Sequence, residues 1–444
     1  MRVAIVGCGH VGLVTGAAFA ETGHTVVGYD SDRAKLELLQ RGEAPFYEPG
    51  LDDLLTRHHG ERLTFADTTR EALEGADAAF ICVATPPRPD GRLSLTYVEK
   101  ATRDIAQAAP GPIVVVEKST VPVHTAQRII TVLREENRFP EIEVATNPEF
   151  LREGSAVHDM LEPDRIVVGV TSEGRASEVM RGLYAPIVER TGCELIVTDL
   201  ESAELTKHAS NSFLAMKISF INAVARLCEK VGADVDTVVR GMSLDPRIGP
   251  HHLFPGVGYG GSCFPKDVDN FIAQAEEFGV DMSFLDAVRR INAEQRSLLV
   301  DKVRRAVWNL EGKTIGVWGL AFKPGTDDLR EAPAIDVIKA LEDEGARVRA
   351  YDPAAGAAAK AELPRTEIVA DAHTAIEGAD ALVVMTEWPE FAAADLLRVR
   401  DAMRRPVVVD GRNLWPVTRM ADLGFTYLSF GRPDVSGGEI RRGV

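Results

Sequence analysis

Short, continuous apolar runs ending in polar or acidic residues recur along the first 170 residues, separated by stretches with helical spacing. Val3-Ala4-Ile5-Val6 leads into a glycine-rich hexapeptide and an alanine-rich helical stretch, and Thr25-Val26-Val27-Gly28-Tyr29-Asp30 follows. Further runs begin at Ala78 and Pro112, and others cover Ile142 to Thr146 and Arg165 to Val170. Runs of this length, uninterrupted by polar residues, predict strands of a parallel sheet buried on both faces. From 200 to 232 the pattern becomes one long helix, with Leu205, Phe213, Ile218, Ile221, Val224 and Leu227 at helical spacing. At Lys313 the alternation restarts, with Thr314 to Leu320, Ala346 to Asp352, Ala381 to Met385 and Pro406 to Asp410 as strands. The expected fold is α/β, two Rossmann-like doubly wound domains joined by a long central helix. The expected boundaries are 1–199, 200–310 and 311–444.

The first turn reads Gly7-Cys8-Gly9-His10-Val11-Gly12, between a strand and a helix, and Asp30 closes the next strand. In that context the glycines form a dinucleotide fingerprint: Gly7 for the tight turn, Gly9 for close approach of the pyrophosphate, and Gly12 for helix-to-strand packing. The helix N-terminus then stabilises the phosphate charge. Asp30 is placed to accept hydrogen bonds from a ribose and to repel a 2′-phosphate, which favours NAD over NADP, although Arg33 and Lys35 add positive charge nearby. The restart at Lys313 keeps only Gly316 and Gly319, before Lys323-Pro324-Gly325. That departure predicts a different nucleotide, with Lys323, Arg330 and Arg412 available to phosphate or sugar.

Composition narrows the class. The 444 residues carry a formal charge of −17, which disfavours nucleic acid as a partner. The five cysteines, Cys8, Cys82, Cys193, Cys228 and Cys263, are scattered and suggest neither a disulfide framework nor a metal site. No signal-peptide pattern precedes the first strand and no apolar run reaches membrane-spanning length, so a cytoplasmic protein without metal or membrane partner is expected.

The candidate chemistry centres on Gly260-Gly261-Ser262-Cys263-Phe264-Pro265-Lys266-Asp267, a thiol four residues before a carboxylate with a lysine between them. A thiolate beside a cation attacks carbonyl carbon, whereas a structural cysteine usually sits in plain apolar sequence. Three other groupings stand out. Asn147 precedes Pro148 as if capping a helix that would put Glu149 and Glu153 on one face. Two carboxylates there would equally suit the helix dipole. Lys207 and Asn211 lie four apart on the long helix, a pair suited to a developing oxyanion or simply facing solvent. In Ser119-Thr120-Val121-Pro122, at a strand end, the Thr120 hydroxyl is available to a water or a nicotinamide.

These motifs, in order and over essentially the full length, resemble the nucleotide-sugar 6-dehydrogenases. The matching pieces are the glycine turn with Asp30, Ser119 to Pro122, Asn147 to Glu153 with Gly154-Ser155-Ala156, Lys207 with Asn211, Gly258 to Asp267, and Phe322-Lys323 followed by Arg330-Glu331. The wording of the thiol segment is closer to the UDP-glucose branch than to the GDP-mannose or UDP-N-acetylmannosamine branches. Ala84 and Pro86-Pro87-Arg88-Pro89 depart from the usual pattern.

The resemblance implies oxidation of a sugar C6 alcohol to a carboxylate with two NAD+ consumed, through a thiohemiacetal and a thioester on Cys263. It implies Lys207 and Asn211 at the oxyanions, Asp267 with Lys207 handling protons, and Glu149 with Thr120 activating the hydrolytic water. Implied cofactor contacts are Gly7, Gly9, His10, Val11, Gly12, Asp30, Lys35, Thr85, Ser119, Thr120, Glu153, Lys266 and Arg330. Implied substrate contacts are Phe150, Leu151, Glu153, Lys207, Asn211, Tyr259, Gly260, Phe264, Phe322, Lys323 and Arg412, with Arg247 reaching the neighbouring subunit of a homodimer or larger homo-oligomer. Two other readings compete: a 3-hydroxyacid dehydrogenase, which transfers one hydride and needs no thiol, and a non-catalytic NAD-binding sensor.

Overall fold

The computed structural model describes residues 1–136 and 142–441. Its backbone forms two eight-stranded sheets. The first comprises β1 (Arg2–Val6), β2 (Thr25–Tyr29), β3 (Leu63–Phe65), β4 (Ala78–Ile81), β5 (Val114–Glu117), β6 (Glu143–Thr146), β7 (Arg165–Val170) and β8 (Glu194–Thr198). Their spatial order is β3-β2-β1-β4-β5-β6-β7-β8. All neighbours pair in parallel except β6 with β7. The order reverses at β1, so the β1 and β4 ends flank the crevice where open α/β sheets bind ligands.

The second sheet comprises β9 (Thr314–Trp318), β10 (Arg347–Tyr351), β11 (Glu367–Ile368), β12 (Ala381–Val384), β13 (Val407–Asp410), β14 (Thr426–Leu428), β15 (Asp434–Ser436) and β16 (Glu439–Arg441). Its order, β11-β10-β9-β12-β13-β14-β15-β16, repeats the first, with antiparallel pairing only at the β14-β15-β16 edge. The chain divides into two compact units, Met1–Ser210 with Asp269–Phe278, and Asn211–Val268 with Gly279–Val444.

Fully buried strands explain the apolar runs: β4 and β5 are buried at every position, as are β12 and β13. The first helix, His10–Glu21, is buried from Gly12 to Ala20. Small residues let it lie that close, since a Cβ at Gly12 would stand 1.9 Å from the Gly7 carbonyl oxygen. The central helix, Leu200–Val231, runs for 32 residues. Its buried stripe is unusually polar, with Glu204, Lys207, His208, Asn211, Ser219 and Asn222, while Leu205, Phe213, Phe220, Leu227 and Val231 are exposed. Among the described residues no helix is long and apolar enough to cross a membrane.

The expected helix from Pro148 does not form. Helix begins only at Ala156–Leu161. Asn147 is spent elsewhere: its Nδ2 donates to the Val167 carbonyl at 2.8 Å, and its Oδ1 accepts from Lys118 at 3.0 Å and Tyr184 at 2.5 Å. With its amide engaged on long-range partners, Asn147 cannot cap, and the chain passes Glu149 without regular structure.

Candidate active site

The first unit holds the dinucleotide turn. Gly7 has a φ of +96° and its N–H donates to the Tyr29 carbonyl, bringing β1 and β2 together at their ends. A Cβ at Gly9 would meet nothing within 4 Å, so the turn leaves open space where a pyrophosphate would approach. The first N–H groups of the helix starting at His10 and Val11 have no partner within it. Asp30 accepts from the Cys8 N–H at 2.9 Å and the Asp32 N–H at 2.9 Å, and Lys35 Nζ lies 2.9 Å from its Oδ2. Lys35 is therefore held by the acid itself, and Arg33 pairs with Asp67 at 3.1 Å. The donor set and the room fit a dinucleotide.

Beyond β4 and β5, Thr85 Oγ1 donates to the Thr120 carbonyl at 2.9 Å and ties the two strand-end loops. Ser119 donates its hydroxyl to the Ile81 carbonyl. The loop through Thr120 is fixed from behind by residues the sequence did not single out. Glu204 accepts from the His124 and Ala126 N–H groups, both at 2.8 Å, and the His208 ring contacts the Val121 carbonyl at 2.7 Å. Burial pushes the Glu204 carboxyl up to about 7.

Glu149 is buried and ion-paired to the equally buried Lys207, Oε1 to Nζ 2.7 Å. Its second oxygen accepts from the Leu151 N–H at 2.6 Å, which aims the carboxylate. Phe150 packs beneath the Arg165 guanidinium at 3.9 Å. Lys118 is a further buried cation; burial pulls its ammonium down to about 8, with the Glu149 charge opposing. A cavity of about 110 Å³ opens beside Glu149, lined also by Lys118, Asn147 and Tyr184, with room for water. In the sequence Lys118 is only a charge two residues beyond an apolar run.

The second unit holds the thiol. Cys263 immediately precedes the helix Phe264–Glu277, and its carbonyl accepts the Asp267 N–H at 2.9 Å. The positive end of that helix favours negative charge on sulfur. Asp267, one turn on and fully buried, accepts from Asn211 Nδ2 at 2.6 Å and from Lys266 Nζ at 2.6 Å. Lys207 and Asn211 thus follow one another by one turn of the central helix, each holding a buried carboxylate.

The segment before the thiol is tied to neighbouring helices by side-chain amides. Asn292 accepts the Tyr259 N–H at 2.8 Å and donates to its carbonyl at 3.0 Å, Asn222 accepts the Gly256 N–H, and Gln295 donates to the Gly256 carbonyl. Tyr259 meets Phe264 edge to face at 5.8 Å. At Gly260 a Cβ would lie 2.2 Å from the Glu331 carbonyl, so only glycine fits. Gly261 donates to the Arg330 carbonyl at 2.9 Å, while the Arg330 guanidinium pairs with Asp328. Arg412 donates to the carbonyls of Met385, Gly258 and Phe322 at 2.8, 3.1 and 2.9 Å, clamping three segments. Lys323 Nζ sits 5.5 Å from the Phe322 ring. Arg247 is exposed and pairs with Asp245. Among the described residues no cluster of three or more His, Cys, Asp or Glu could hold a metal ion.

The glycine turn with its acid, the thiol at a helix start, and a second nucleotide-type sheet define a class. Models of the UDP-glucose/GDP-mannose dehydrogenase family match residues 1–188 as its NAD binding domain, 201–294 as its central domain and 316–417 as its UDP binding domain. The chain belongs to this family, and NAD is its cofactor. It is 45% identical to a UDP-glucose 6-dehydrogenase of Pseudomonas aeruginosa over 98% of both chains, and 44% identical to one of Rhizobium meliloti over 98% of this chain and all of that one. A solved UDP-glucose dehydrogenase from Pyrobaculum islandicum superposes with a TM-score of 0.85 at 40% identity, covering 93% of this chain and 94% of that one.

Proposed function

We propose that the chain oxidises the C6 hydroxyl of UDP-glucose to the carboxylate of UDP-glucuronate in the cytoplasm, by two successive oxidations. The observation that carries this reading is Cys263 at a helix start one turn before the buried Asp267–Asn211 pair. A dehydrogenase stopping at a carbonyl has no use for that thiol. NAD+ supplies the hydride acceptor, once for each oxidation.

The first oxidation converts the alcohol to an aldehyde, with the hydroxyl proton leaving through water to Asp267. The Cys263 thiol then adds across the aldehyde, forming a carbon–sulfur bond and a tetrahedral hydroxyl-bearing carbon. The second oxidation removes hydride from that carbon and the proton from its hydroxyl, which leaves through water to Asp267, and what remains is a thioester. Lys207 and Asn211 stabilise negative charge on the C6 oxygen through these steps. Glu149, with Thr120, takes a proton from a water that cleaves the thioester and returns the thiol. The cavity beside Glu149, which has room for water, supports that role. Phe150, Leu151, Glu153, Tyr259, Gly260, Phe264, Phe322, Lys323 and Arg412 are the proposed substrate positions. Lys266 and Arg330 are proposed cofactor contacts.

Assembly is proposed as a homodimer or a larger homo-oligomer. Phe213, Phe220, Leu227 and Val231 form an exposed apolar stripe along the central helix. Such a stripe at near-heptad spacing suits a second copy of the same helix. Arg247 would then serve the neighbouring site.

Counting product tests the chemistry. The wild type should form two NADH per UDP-glucose consumed, and Cys263→Ser at most one, with net acid formation lost by more than about a thousandfold. Two NADH from Cys263→Ser would overturn the covalent route, and one from the wild type would favour a two-electron dehydrogenase. UDP-galactose, GDP-mannose and UDP-N-acetylmannosamine in the same assay test the sugar.

A further inference from the structure

The segment Phe46-Tyr47-Glu48-Pro49 is not absorbed by the chemistry above, yet it places a carboxylate that is almost fully buried. Glu48 Oε1 accepts the Ala156 N–H at 2.7 Å and Oε2 accepts the Gly154 N–H at 2.7 Å. The same Oε2 lies 2.9 Å from Nε2 of His10, whose ring stacks on Phe46 at 4.7 Å between centroids. His10 is the first residue of the helix that begins at the dinucleotide turn. Gly154 follows Glu153 and turns the chain with a φ of +82°, between the Glu149–Leu151 stretch and the helix from Ala156. One carboxylate therefore touches both the phosphate turn and the loop that carries Glu149 and Glu153.

One contact is with the start of a long helix, and the other is with a short irregular segment whose N–H groups this acceptor holds. Gly154 and Ala156 N–H groups lie at a helix start where no intrahelical carbonyl is available. A shift of His10 on occupation of the turn by phosphate would move the atom that lies against Glu48 Oε2. The loop through Gly154 then feels that shift through the same oxygen.

Resting on the dehydrogenase reading above, we propose that Glu48 is a positioning residue that couples occupancy of the dinucleotide turn to the 149–156 loop, so that cofactor and nucleotide sugar each tighten binding of the other. Coupling between two ligands is reciprocal and is measured as the ratio of one ligand's affinity with and without the other.

NADH and UDP-glucose together cannot turn over, so NADH fluorescence gives that ratio on the intact enzyme. Saturating UDP-glucose should lower the wild-type Kd for NADH by at least about fivefold. Glu48→Gln keeps the volume and one acceptor oxygen, and should bring the ratio to within about twofold of unity. His10→Gln should do the same, and the double variant should be no worse than either single one, as expected for residues acting through one contact. A wild-type ratio of one, or an unchanged ratio in folded Glu48→Gln, would overturn the coupling. Two NADH per UDP-glucose alongside either result would leave the dehydrogenase reading standing. A Glu48→Gln protein with lowered melting temperature but the full ratio would mark the residue as structural only, which also overturns the proposal.

Discussion

The two sheets place an acid at the same two points and treat it oppositely. After β2 the acid is Asp30, and after β10 it is Asp352. Gly7 and Gly319 precede them with φ of +96° and +93°, each donating its N–H to the tyrosine carbonyl that ends the second strand. Asp30 accepts two backbone N–H groups and is otherwise met by a partly exposed lysine. Asp352 accepts four backbone N–H groups, from Leu320, Ala321, Ala354 and Ala355, and the Trp388 indole N–H.

At the ends of β5 and β13 the contrast repeats. Glu117 and Asp410 are both fully buried and each accepts the N–H two residues on, Ser119 or Arg412. Asp410 is then completed by Leu414, Trp415 and Tyr427, whereas Glu117 Oε2 is buried with no hydrogen-bond partner. Burial pushes both carboxyls up. The acids of the first sheet keep hydrogen-bonding capacity that those of the second have spent on their own chain. The second sheet, though it repeats the first, falls in the part of the chain matched as the family's UDP binding domain.

Breaking the saturated acid should have the largest effect. Asp352→Ala orphans five donors at once, and each buried unsatisfied group costs about 1–3 kcal/mol. Relaxation and water will recover part of that, so a loss of more than about 3 kcal/mol is expected in urea unfolding. A loss below 1 kcal/mol would mean that Asp352 is not the keystone its contacts suggest.

The residue after the acid also differs: Lys118 in the first sheet and Gly411 in the second. Lys118 is held near 8 by burial, below an unfolded value of about 10.4. The unfolded chain therefore binds more protons between about pH 8 and 10.4, and wild-type stability gains as pH rises through that window. Lys118→Met has no such group. Its stability relative to wild type should fall by on the order of 3 kcal/mol between pH 7 and 10.5. A flat difference would show that the ammonium is accommodated without cost.

Much of this was legible in the chain, and unevenly. β7 matches its apolar run at both ends, and the long helix ends one residue from its expected limit, because burial on both faces or a single continuous pattern writes itself into local sequence. The failed helix at Asn147-Pro148 had correct local signals, and long-range bonds from Lys118, Tyr184 and Val167 overrode them. Asp267 was read as chemistry from spacing alone. Glu48, Asn292 and Gln295 were not seen, since their roles come from partners 33 to 108 residues away. The apolar pattern of the central helix does not fall on one face, since Leu205, Phe213 and Leu227 are exposed and Ile221 is buried, and the polar character of the buried side is intelligible only with the loops it holds.

The open acid should give the smallest and most selective effect. Asp30→Ala removes the acceptor of only two backbone N–H groups, and Asp32 beside it is exposed, so water replaces part of what is lost. Its stability should therefore suffer much less than that of Asp352→Ala. What it loses is a charged acceptor for a ribose, worth about 1.5–3 kcal/mol, or roughly ten- to a hundredfold in NAD+ affinity. It also loses the charge that repels a 2′-phosphate and frees Lys35, which now has a positive charge without its partner. The ratio of kcat/KM for NAD+ over NADP+ should accordingly fall by more than NAD+ binding alone explains, because NADP+ use rises in absolute terms. The comparison breaks if Asp30→Ala unfolds as readily as Asp352→Ala, or if it leaves both cofactor constants unchanged, since either result would make Asp30 another sealed acid.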